Sequence, residues 1–102
     1  MSRFVPPFIK ILEEKDPTLY ATVTELMEKA MAPGALDAKT KVLITLALDA
    51  LKQAEGGVTV LSRQARELGA SEEEIAETLR LAYYVAGMGV LAVSSVAWEK
   101  ES

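Results

Sequence analysis

The sequence predicts an all-α protein of five or six helices with short connections. Three observations carry this. Every strong apolar pattern repeats with the helical period of about 3.6 residues. Helix caps and helix-stopping Gly or Pro residues punctuate the chain at helix-length intervals. Half of the 102 residues are apolar but only 6% are aromatic, so the core must be Leu, Val, Ile and Ala, which suits close helix packing. No repeat, low-complexity segment or long linker divides the chain, and residues 1–102 read as one domain.

The elements follow in order. Residues 1–5 are expected to fray. Pro7 opens a short helix whose apolar side is Phe8, Ile9, Ile11 and Leu12, ending at Glu14. Asp16-Pro17 supplies an N-cap and a proline at the first helical position. The helix that follows carries Leu19, Tyr20, Val23, Leu26, Met27, Ala30 and Met31, and Pro33-Gly34 ends it. Asp37 caps a strongly amphipathic helix with Val42, Leu43, Leu46, Ala47, Ala50, Leu51 and Ala54 on one side. Lys41, Thr45, Asp49 and Lys52 form its opposite stripe. Gly56-Gly57 is expected to break the pattern. A shorter helix follows, with Val58, Leu61, Ala65 and Leu68 inside and Arg63, Gln64, Arg66 and Glu67 outside. Val58-Thr59-Val60 would otherwise be a lone strand without a partner. Gly69 fits the C′ position, where positive φ is needed. Ser71-Glu72-Glu73-Glu74 reads as a capping box opening the next helix.

The last segment, Leu81 to Trp98, runs eighteen residues without a charge. That reaches the lower limit for a membrane span. Its two Gly, two Ser and four Ala keep it only modestly hydrophobic, and the flanking charges give no positive-inside bias. The expectation is two packed helices, or one kinked near Gly87-Met88-Gly89, at the centre of an oligomer, rather than a membrane segment. Ala82, Ala86 and Gly89 would let a neighbouring helix approach closely.

The lead-in Gly34 to Leu43, the amphipathic helix, the Gly-rich break, the short helix and Gly69 to Glu77 together resemble the carboxymuconolactone decarboxylase/AhpD-like family. The resemblance spans roughly residues 34–87. It implies the AhpD-like helical domain and a homo-oligomer, a trimer or hexamer. It also implies a redox site of Glu, Cys-x-x-Cys and His. In that frame Val42 stands at the Glu position, Ala54 and Gly57 at the two Cys positions, and Leu61 at the His position. Lys41 keeps the lysine that often precedes the Glu. The decarboxylase branch relies on histidine, and this chain has neither histidine nor cysteine. The resemblance thus implies the fold while the four reactive groups are missing.

Composition excludes more. A net charge of −4 with no basic face disfavours nucleic acid. Without cysteine there is no disulfide, thiolate nucleophile or thiolate metal site, and His or Cys metal ligation is excluded. No carboxylate cluster has calcium-loop spacing, so no metal and no cofactor are expected. The N-terminus carries one Arg and then Pro6-Pro7, without a secretory apolar run, so a cytoplasmic location is expected.

Asp49, in an apolar run, and Glu55, beside the first Cys position, are the catalytic candidates, as acid or base if buried. The favoured reading puts Asp49 in the polar stripe and Glu55 in a solvated loop. Gly56-Gly57 lacks the strand, Lys and Ser/Thr of a phosphate loop. Arg63 and Arg66 would suit a carboxylate ligand, though ordinary solvation is favoured. Of Tyr83 and Tyr84 one should be core and the other at a pocket or interface, and Trp98 should close a hydrophobic seam. Two function classes follow. One is a non-redox oligomeric binding or structural protein; the other is a peroxidase- or decarboxylase-type enzyme using other residues. The relic positions Val42, Ala54, Gly57 and Leu61 are expected to form packed core, or else a pocket for a small apolar ligand.

Overall fold

The computed structural model describes residues 5–99, so the expected fraying of residues 1–4 lies outside the described residues. Every regular element among them is helical: α1 (Pro7–Lys10), α2 (Leu12–Lys15), α3 (Pro17–Met31), α4 (Ala38–Leu51), α5 (Glu55–Glu67), α6 (Glu72–Ser94) and a closing 3₁₀ turn (Ser95–Trp98). The all-α class is as the sequence predicts.

The chain divides into two compact units, Met1–Gly34 and Ala35–Ser102. In the first, the single turns α1 and α2 pack on α3. The continuous helix expected from Pro7 to Glu14 is thus two turns that meet at Ile11. Pro7 occupies the first helical turn, and the Asp16 carboxylate accepts from the Leu19 amide at 3.1 Å to cap α3.

The second unit is built on α4, which packs extensively against both α5 and α6. Its start is capped by Asp37, which accepts from the Thr40 amide at 2.8 Å. Its centre buries Val42 and Leu46, and α5 contributes Leu61 and Ala65. Each pair is one helical turn apart, so each helix turns one stripe inward. Ile75 and Ala82 of α6 and Ala70 in the connection complete the buried set. The α5–α6 junction follows the sequence closely. Gly69 takes φ +93, and the Gly69 and Ala70 amides donate to Arg66 and Ala65 at 3.0 and 2.9 Å, a Schellman closure. The Glu74 amide donates to Ser71 Oγ at 3.0 Å while Glu74 Oε1 accepts from the Ser71 amide at 2.9 Å, completing the capping box. Lys39 Nζ reaches Glu74 Oε2 at 3.0 Å, tying the start of α4 to the start of α6.

Three local expectations are corrected. Gly56 and Gly57 do not interrupt a helix; both lie in the first turn of α5. The break falls at Lys52–Ala54, where Gln53 takes φ 60 and the Ala54 amide donates to the Asp49 carbonyl at 2.9 Å. The segment from Leu81 onward is not two helices, and α6 continues through Gly87 and Gly89 to Ser94. Tyr83 and Tyr84 are both exposed, at 80% and 61%, and Trp98 is 81% exposed. Neither tyrosine is core, and Trp98 seals nothing within the described chain.

Candidate functional site

The relic positions gather on α4 and around the amino-terminal half of α5. Val42 is 2% exposed and Leu61 9%. Both are aliphatic and buried, so neither can carry a proton. Ala54 is the residue before the first turn of α5 and Gly57 lies inside that turn, both half-buried.

The Asp49 carboxylate packs against Gly57. A Cβ built on Gly57 would meet the Asp49 carboxylate oxygen, with the carboxyl carbon at 2.9 Å. Asp49 therefore occupies the space that any side chain at position 57 would need. A negative group there is favoured by the positive end of the α5 dipole. Asp49 is half-buried rather than part of a solvated surface stripe. Its neighbours on that stripe, Lys41 and Thr45, are half-buried too, and Thr45 Oγ1 donates to the Lys41 carbonyl at 2.8 Å. Ile44 and Leu48, between them in sequence, are instead 43% and 53% exposed. The predicted apolar side of α4 is inward at Val42 and Leu46, and packing on two neighbours half-buries the Lys41–Thr45–Asp49 stripe as well, which leaves Ile44 and Leu48 outermost.

Glu55 begins α5 and is exposed, in the first turn where a carboxylate suits the helix dipole. It is helical rather than in a loop. Arg66 is engaged: Nε and one terminal nitrogen donate to Glu72 at 2.7 and 2.9 Å, a bidentate pair. That pairing holds the Glu72 carboxyl below its ordinary range and raises Arg66. Arg63 is exposed. Among the described residues no group of three or more His, Cys, Asp or Glu could hold a metal ion.

The Asp49–Gly57 contact was the feature that sequence reasoning missed. Its signal was a lone Asp in an apolar run followed by a glycine eight residues on, which points to packing only once the chain is known to turn at Gln53.

This all-α fold places the chain in a known family. It belongs to the carboxymuconolactone decarboxylase family, whose profile matches residues 17–100. Among its relatives is the uncharacterized protein MJ0742 of Methanocaldococcus jannaschii, 31% identical over 93 residues, with 90% of this chain and 89% of the relative covered. The uncharacterized protein MJ1511 of the same organism is 32% identical over 89 residues, covering 86% and 83% respectively. The crystal structure of apo-lpg0406, a carboxymuconolactone decarboxylase family protein from Legionella pneumophila, superimposes with a TM-score of 0.71 at 34% identity. It covers 85% of this chain and 78% of the Legionella chain.

Proposed function

We infer that this chain is a carboxymuconolactone decarboxylase family member that works without redox chemistry, as a homo-oligomeric binding or structural protein of the cytoplasm. The observation that supports the reading is the state of the relic site. Its Glu and His positions are the buried aliphatics Val42 and Leu61, and its second Cys position is a glycine whose side-chain space Asp49 fills. A buried aliphatic lining avoids the penalty of an unpaired polar group, roughly 2–7 kcal/mol in transfer terms. Thiol-dependent reduction of a peroxide or a disulfide requires a thiolate, and the sequence has no cysteine. The test is turnover of an alkyl hydroperoxide and of a lipoyl-type disulfide by pure protein. The expected rate is that of buffer, and repeatable turnover abolished by heating would overturn the reading.

A second reading, an enzyme using other groups, has one observation in its favour: the half-buried Asp49 carboxylate at the amino-terminal turn of α5. It requires that any heat-labile turnover vanish in Asp49→Asn.

A further inference from the structure

The first turn of α5 has no cap of its own. Ala54, the residue before it, carries no side chain that accepts an amide, and the first backbone bond of the helix runs from the Val58 amide to the Ala54 carbonyl at 3.0 Å. The amides of Glu55, Gly56 and Gly57 come before that bond and have no partner within the helix. They and the positive end of the helix dipole favour an anion. The chain supplies one from α4, because the Asp49 carboxylate lies against Gly57.

Glycine at position 57 serves this contact. The backbone there is ordinary helix, without positive φ, so no conformational need selects glycine, which weakens a helix. Gly56 beside it has nothing within 4 Å of its Cβ position, so the close approach is particular to Gly57.

A thiolate is another anion that such a turn favours. A helix amino end lowers the pKa of a thiol below its ordinary value of about 8.5 and so makes it nucleophilic. Asp49 and a thiol at position 57 exclude each other twice over. The first conflict is one of space, since a Cβ on Gly57 would meet the Asp49 carboxylate oxygen and would stand 2.9 Å from the carboxyl carbon. The second is one of charge, and rotating Asp49 does not remove it. The Asp49 Cβ lies 3.5 Å from the Cβ position of residue 57, so the carboxylate stays beside any sulfur attached there. A like charge at that range disfavours the thiolate.

We propose that Asp49 fixes the chemistry of this site: its carboxylate at the amino end of α5 closes position 57 to a nucleophilic thiolate, so that a cysteine placed there stays unreactive near neutral pH until Asp49 is also replaced. This rests on the non-redox reading above and deepens it by naming the residue that enforces it. Asp49 acts as a specificity-determining residue and touches no substrate in this role.

The test is alkylation by iodoacetamide as a function of pH, on full-length Gly57→Cys, Asp49→Ala/Gly57→Cys and Asp49→Asn/Gly57→Cys, with helical circular dichroism as the control for folding. The midpoint should lie at or above about 8.5 while Asp49 is present. It should be lower by about one pH unit or more in Asp49→Ala/Gly57→Cys, a tenfold change in the thiolate equilibrium. Asp49→Asn keeps the bulk and removes the charge, and should give most of that fall. A Gly57→Cys protein that folds only when Asp49 is also replaced supports the exclusion by space. Asp49→Cys/Gly57→Cys checks the contact even where Gly57→Cys alone does not fold. The Cβ separation of 3.5 Å sits at the close end of the disulfide range, about 3.5–4.5 Å. Two protein thiols and glutathione disulfide should therefore give the protein disulfide and two glutathiones. A pair that stays reduced, or midpoints that coincide with and without Asp49, overturns the proposal and leaves the non-redox reading of the wild type standing. Heat-labile turnover by the wild type, which has no cysteine, overturns that reading and not the midpoints.

Discussion

Gly57 and Asp49 form a single packing unit, and their energetics should show it. Gly57→Ala improves helix propensity by roughly 0.5–1 kcal/mol. Its new Cβ, however, drives the Asp49 carboxylate from the amino-terminal turn of α5. Losing that placement costs about 0.3–1 kcal/mol. The two effects should nearly cancel in the wild type. With Asp49→Ala in the background only the gain remains, so Gly57→Ala becomes clearly stabilising. Denaturant unfolding of the four proteins measures this coupling, and additivity within about 0.3 kcal/mol would show that the pair does not interact. Leu61, 9% exposed, makes a simpler prediction. Leu61→Ala should cost about 2–5 kcal/mol. A loss below about 0.5 kcal/mol is what an exposed side chain would give, and the placement of Leu61 in the buried stripe would then be wrong.

At the scale of the element, the capped helix starts were legible, and the breaks at Ile11 and Gln53 were not. Asp16, Asp37 and Ser71 announce helix starts because their short side chains satisfy amides within their own turn, a local interaction that sequence reveals. Gly69 announces a stop because its φ is a property of one residue. Gln53 gives no such sign. Its left-handed conformation falls where the chain turns from α4 into α5, while Gly56-Gly57 looks like a break and is the start of a helix, with Gly57 packed on Asp49. Tyr83 and Tyr84 misled for a related reason, since whether either is core depends on what lies beside α6. The capping box carries a pH prediction. The Ser71 amide, and after it Lys39, hold the Glu74 carboxyl below its ordinary range, and the Thr40 amide does the same for Asp37. Both groups are depressed in the folded state. Their stabilisation is therefore complete above the unfolded-state value and is lost as pH falls through the folded one, below about pH 4. Denaturant midpoints measured from pH 7 to pH 3 should fall in that window, and Glu74→Gln should flatten the fall. An unchanged pH profile in Glu74→Gln would remove Glu74 from the acid response.

At the scale of the whole molecule, the buried hydrophobic set among the described residues comprises Val42, Leu46, Leu61, Ala65, Ala70, Ile75 and Ala82, and every one lies in the unit Ala35–Ser102. Three of the seven are alanines, so the core is thin. The sequence made its composition legible, half apolar and poor in aromatics, but not its division, because burial depends on which faces the helices turn to one another. On the homo-oligomeric reading proposed above, association stabilises the folded state by mass action, and the thermal midpoint should depend on protein concentration. Raising concentration a hundredfold, from about 1 to about 100 μM, corresponds to at most about 2.7 kcal/mol of extra stabilisation. In a domain of about 100 residues that should move the midpoint upward by several degrees, about 5 °C or more. Differential scanning calorimetry reports the transition. A midpoint that stays put over the whole range would mean that the core of seven residues holds the fold unaided, with α6 left uncovered.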